Sequence, residues 1–147
     1  MRNLKRALSL ALASVMVMGL MVVGTGASYV DVSSEQNQEA IEVLQAVGVM
    51  TGDENGKFNP DANVTRNEMA VVMSNLLDYT VSSYKGTAPF SDVPSWAEPY
   101  VAACYTNGII AGYDAKTFGG NDSVTTGQAA LMLMKALGYF QYQSDFG

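Results

Sequence analysis

Two side chains stand out as able to act on a ligand. Arg66 follows Thr65 at the start of a helical pattern, where first-turn N–H groups and the helix dipole already favour an anion. A guanidinium there can hold a carboxylate through two parallel hydrogen bonds. Trp96, the single tryptophan, offers a flat apolar face for a sugar ring and keeps a polar edge free. The plainer readings are a solvated helix-start charge for Arg66 and a core-edge anchor for Trp96, and residue type alone leaves both open. Composition removes most other chemistry. The 147 residues contain no His and one Cys, which excludes Ser-His-Asp and Cys-His catalysis, the usual zinc and haem ligand sets, and an internal disulfide. Asp53-Glu54-Asn55-Gly56 hints at calcium but lacks the alternating ligands and terminal Glu of a calcium loop, so it reads as a turn. No carboxylate pair has a spacing that marks a glycosidase. The chain is expected to be non-enzymatic, with no metal and no cofactor.

These side chains are carried by an exported, acidic chain. Residues 1–27 have a basic start (Arg2, Lys5, Arg6), an apolar run from Ala7 to about Gly24, and the small residues Thr25-Gly26-Ala27. That order is the pattern of a secretory signal peptide, with a retained membrane helix as the alternative. Three of the eight Lys+Arg lie on this leader, which leaves five against fourteen Asp+Glu, a charge of about −9 from residue 28 onward. Such a surface repels phosphate backbones, so nucleic acid is not an expected partner.

An internal repeat organises the remainder. Tyr29-Val30-Asp31-Val32 answers to Phe90-Ser91-Asp92-Val93, and Ala46–Gly52 answers to Thr106–Gly112. Phe58, Val64-Thr65, Ala70, Met73 and Leu77 recur as Phe118, Val124-Thr125, Ala130, Leu133 and Leu137. The expected organisation is repeat one over 28–79, a polar linker over 80–89, repeat two over 90–140, and a tail or the start of a third unit over 141–147. Each repeat reads as helix, irregular turn, helix, giving an all-α fold. Ala40, Ile41, Leu44 and Val47 mark one face of the first helix, and Ala97, Tyr100, Val101 and Cys104 do so in repeat two. Gly48 and Gly108 end those helices. Thr65 with Glu68, and Thr125 with Gln128, are capping boxes that open the second helices. Met69, Met73, Met132, Met134 and Cys104 are expected core residues. Because the cap uses Thr65 and Glu68, replacing Arg66 is expected to leave the melting temperature almost unchanged.

Phe90-x-Asp92-Val93-x-x-Trp96-Ala97, Gly108-Ile109-Ile110-x-Gly112-Tyr113, Phe58-x-Pro60 and Val64-Thr65-Arg66-x-Glu68 resemble the S-layer homology (SLH) repeat over about residues 29–140. The resemblance implies a pronged, pseudo-trimeric helical array at the cell wall or surface layer. It also implies non-covalent anchoring of an exported protein to secondary cell-wall polysaccharide, often pyruvylated, or to peptidoglycan. Carried onto this sequence, the polysaccharide site comprises Arg66, Trp96, Asp92, Glu68 and Thr65. The repeats depart from the pattern in complementary ways: repeat one has Glu35 near the Trp position, and repeat two has Gly120, Thr126 and Gln128 for Pro60, Arg66 and Glu68. Arg66 and Trp96 are therefore expected to share one site between neighbouring prongs. The alternatives are a self-assembly unit of a surface layer, completed by self-association or a third SLH repeat, and the anchor fragment of a larger wall enzyme.

Overall fold

The computed structural model describes residues 29–32 and 37–139. The expected leader and tail, and Glu35, lie outside the described residues. The described residues form four helices: α1 (Gln38–Ala46), α2 (Arg66–Leu76), α3 (Glu98–Thr106) and α4 (Thr126–Ala136), with a 3-10 turn at Val81–Tyr84 between α2 and α3. The fold is all-α, and both capping boxes form: Thr65 accepts from the Glu68 N–H and Thr125 from the Gln128 N–H, with each N3 side chain reaching back. The chain divides into two units, up to Pro60 and from Asp61 onward. The break falls inside repeat one, so α2 belongs to the same unit as repeat two.

In the first unit, α1 ends where Gly48 takes a left-handed conformation (φ 73°) that a β-carbon would disfavour. Tyr29, Val32 and Ile41 are buried with Phe58 packed against them, and the Tyr29 and Phe58 rings lie 5.4 Å apart. Of the expected α1 face, Ile41 is buried while Ala40 and Val47 are exposed. The Asp31 carboxylate braces the following loop, accepting from the Phe58 N–H at 3.0 Å and the Asn59 N–H at 2.8 Å. Asp53 closes its turn by accepting from the Asn55 and Lys57 N–H groups, both at 2.9 Å.

In the second unit α3 is the central element, packed against both α2 and the 3-10 turn. Val101, Ala102, Ala103 and Cys104 are all fully buried, so this helix buries more than the single face its spacing suggested. Small residues let α2 and α3 approach closely. Ser74 Oγ donates to the Tyr100 carbonyl at 3.3 Å and lies 3.3 Å from Cys104 Sγ, which donates to the Ala70 carbonyl at 3.5 Å. Burial pushes the Cys104 thiol up to about 11, so it packs as a neutral thiol. Met69, Met73 and Met132 fill the same core with Ile109, Ile110 and Phe118. Residues 80–89 are more than a linker: the Gly86 N–H donates to Glu98 at 2.7 Å and Thr87 Oγ1 lies 3.3 Å from Thr106 Oγ1. The segment is thereby fastened to both ends of α3.

Asp92 repeats the brace of Asp31, accepting from the Phe118 and Gly119 N–H groups, both at 2.8 Å. The Phe118 bond above all holds its carboxyl below the ordinary carboxylate value, against a smaller opposing effect of burial. A carboxyl with a depressed folded pKa adds stability above its ordinary titration range and loses it as pH falls through the depressed value. Asn keeps one acceptor oxygen and turns an NH2 toward the other N–H. Asp92→Asn should therefore be less stable at neutral pH and lose less stability between about pH 5 and 2, leaving the contributions of Asp31, Asp53 and Asp114. Urea unfolding across that range checks this; an acid limb parallel to the parent's contradicts it.

Candidate functional site

The first turn of α2 lies on the loop of the following repeat. The Arg66 N–H donates to the Asp122 carbonyl and the Asn67 N–H to the Gly120 carbonyl, both at 2.9 Å. The Val124 N–H donates to the Val64 carbonyl at 2.9 Å, and Thr65 and Ser123 form an isolated antiparallel bridge. Helix N–H groups that have no partner within the helix are thus satisfied by backbone from repeat two.

Arg66 runs inward from this turn and is only 4% exposed. Its Nε donates to the Phe118 carbonyl at 3.0 Å and its Nη2 to the Ala111 carbonyl at 2.6 Å. The guanidinium lies 4.7 Å from the Tyr113 ring centre and 4.6 Å from that of Phe118, within cation–π range. The Tyr113 hydroxyl donates to Asp122 at 2.9 Å, and that bond pushes the phenol's pKa up. Among the described residues no carboxylate forms an ion pair with Arg66. Its charge rests on carbonyl dipoles and aromatic faces, and the solvated-charge reading is overturned.

The expected site residues fall into two groups. Thr65, Arg66 and Glu68 share the first turn of α2, with Thr65 and Glu68 engaged in the cap: the Thr65 N–H donates to Glu68 Oε2 at 2.7 Å. Asp92 joins Arg66 through Phe118, whose N–H it accepts while Arg66 donates to its carbonyl. Trp96 stands apart. It lies in the turn where the Pro94 carbonyl accepts from the Ala97 and Glu98 N–H groups, both at 3.0 Å, and it is 55% exposed. The aromatic neighbours of the guanidinium are Tyr113 and Phe118. Arg66 reaches into repeat two, where its side chain contacts Ala111, Tyr113 and Phe118. Tyr113, Asn67 and Asp122 were missed because the contacts of Tyr113 and Asp122 with Arg66, and of Asn67 with Gly120 and Asn121, cross from one repeat to the other, and a repeat read alone shows neither half.

The profile of the S-layer homology domain matches residues 28–70 and 89–130. The chain belongs to the S-layer homology domain family. The family places it at the cell wall or cell surface. It is similar to the Surface-layer 125 kDa protein of Lysinibacillus sphaericus, 36% identical over 101 residues, which is 67% of this chain and 8% of that protein. It is also similar to Endo-1,4-beta-xylanase A of Thermoanaerobacterium saccharolyticum, 34% identical over 68% of this chain and 9% of that protein. A Cell surface protein of Thermoanaerobacter kivui is 26% identical over 100% of this chain and 20% of its own length. The SLH chain thus spans a small fraction of the length of these relatives.

Arg66→Ala removes two hydrogen bonds from a buried cation, strands two carbonyls and opens a gap between aromatic faces. Losses of this kind add to about 2–4 kcal/mol, the reverse of the small effect expected from the cap alone. Chemical denaturation of parent and variant checks this, and a difference under about 0.5 kcal/mol, the scatter of ordinary surface substitutions, contradicts it.

Proposed function

We propose that this chain holds an exported protein at the bacterial cell wall by binding a secondary cell-wall polysaccharide non-covalently, without catalysing a reaction. The observation that carries the reading is the shared segment. About 100 residues of this chain match proteins named as a surface-layer protein and as a xylanase, in each case over less than a tenth of the relative's length. A segment common to proteins of such different names serves location rather than one reaction.

Trp96 is the sugar platform in this proposal. Its turn is fixed by the Pro94 carbonyl, its indole is exposed, and a fixed exposed aromatic loses little freedom when a ring stacks on it. Arg66 supplies the positive end of the site. Its Nε and Nη2 are taken up by backbone carbonyls, so in this proposal it draws an acidic group, such as a pyruvyl carboxylate, by its charge. Asp92, Thr65 and Glu68 act by fixing the loop and the helix start on which the site is built.

Trp96→Ala separates binding from folding, because most of this side chain is already in solvent. Wall sacculi should retain it at least about tenfold more weakly than the parent, a loss of about 1.4 kcal/mol, with unchanged melting. Equal retention by parent and variant contradicts the platform. Equal retention of the parent by sacculi stripped of secondary polymers contradicts the choice of polymer.

A further inference from the structure

The helix that opens with the second capping box exposes the face that its counterpart buries. Met73 of α2 is 1% exposed, whereas its repeat partner Leu133 on α4 is 42% exposed. Ala70 is fully buried and Ala130 exposed, and Leu137 is 72% exposed. At the helix start, the Arg66 and Asn67 N–H groups donate to repeat-two carbonyls, while those of Thr126 and Gly127 have no partner among the described residues. The pattern that covers α2, a loop seated on the first turn with a first helix below it, is left uncovered on α4.

The side chains at the junction indicate what covers it. Asn67 and Gly120 are in close contact: a β-carbon at position 120 would overlap the Asn67 amide. One repeat earlier in the loop, Gly120 becomes Pro60; one repeat later on the helix, Asn67 becomes Gly127. Large-on-helix against small-in-loop has been exchanged for small-on-helix against large-in-loop. Gly127 has open space around it, with nothing within 4 Å of where a β-carbon would stand. The Asn59-Pro60-Asp61 loop carries the same carboxylate brace, from Asp31, that shapes its repeat-two counterpart.

We propose that α4 is a docking face for the repeat-one loop of a second copy of this chain, with Pro60 of one copy seated against Gly127 of the other. The match is one of size, in which a pyrrolidine ring fills the space that Asn67 fills within the chain. The association is heterologous, since different surfaces meet. It is independent of polysaccharide binding, because Trp96 takes no part.

Sedimentation of the exported chain, purified from a bacterial host, tests this over about 1 μM to 1 mM. The parent should associate reversibly. Gly127→Asn should weaken association at least about tenfold by blocking the ring, and Gly127→Ala should weaken it less. Adding Pro60→Gly to Gly127→Asn should restore it, since that pair reproduces Asn67 against Gly120. Mixing Gly127→Asn chains with Pro60→Gly chains should also restore association between copies. A parent that stays monomeric throughout, a Gly127→Asn chain that associates like the parent, or neither the double variant nor the mixture regaining association overturns the proposal.

Discussion

Phe118 is gripped at both its backbone N–H and its backbone carbonyl. Asp92 takes its N–H at 2.8 Å and Arg66 donates to its carbonyl at 3.0 Å, while the ring between them is fully buried and stacked beneath the guanidinium. Phe90, which opens the same segment as Asp92, lies 5.4 Å from that ring. An irregular loop has no ladder or helix to satisfy its backbone, so side chains must do so. Here a carboxylate from before α3 and a guanidinium from α2 meet on one residue, and that residue fixes the loop between α3 and α4.

The folding unit and the sequence repeat consequently differ. A helix–turn–helix of about 50 residues buries too little apolar surface to stand well alone. Repeat two obtains its missing layer from the second helix of repeat one. Met69, Ala70 and Met73 supply the apolar part, Ser74 the close approach to α3, and Arg66 the polar fastening of the loop. Arg suits this role better than Lys because its planar fork reaches two carbonyls and lies flat between aromatic rings. A cation counted from the sequence as a binding group is here first a part of the core.

Much of this organisation was legible in the sequence. The repeat offset marked the helices, both capping boxes and the buried Cys104, because these depend on residues within four positions of each other. The offset also pointed to Asp31 and Asp92 as equivalent residues, though not to the N–H groups they brace 26 to 28 positions away. Arg66 was misjudged as to burial for the same reason. Its partners, Ala111, Tyr113 and Phe118, lie 45 to 52 positions ahead, and periodicity within one repeat carries no information about which turn rests on which loop. The burial of four successive residues of α3, Val101 to Cys104, was hidden similarly, since its second covering surface is the 3-10 turn inside a stretch that reads as polar. Trp96 was visible as a residue type, while its 55% exposure is set by the tertiary fold and was not.

The loop between α3 and α4 depends on two charged side chains gripping one residue. A double-mutant cycle on Arg66→Ala and Asp92→Asn, read by chemical denaturation at neutral pH, measures that dependence directly. Arg66 holds the carbonyl of the Phe118–Gly119 peptide and Asp92 holds its N–H, so each substitution frees the same peptide and the second should cost less in the presence of the first, with a coupling of about 1 kcal/mol or more. Costs that add to within about 0.5 kcal/mol would mean that the two side chains act independently, and that Phe118 is not the point on which the unit is held.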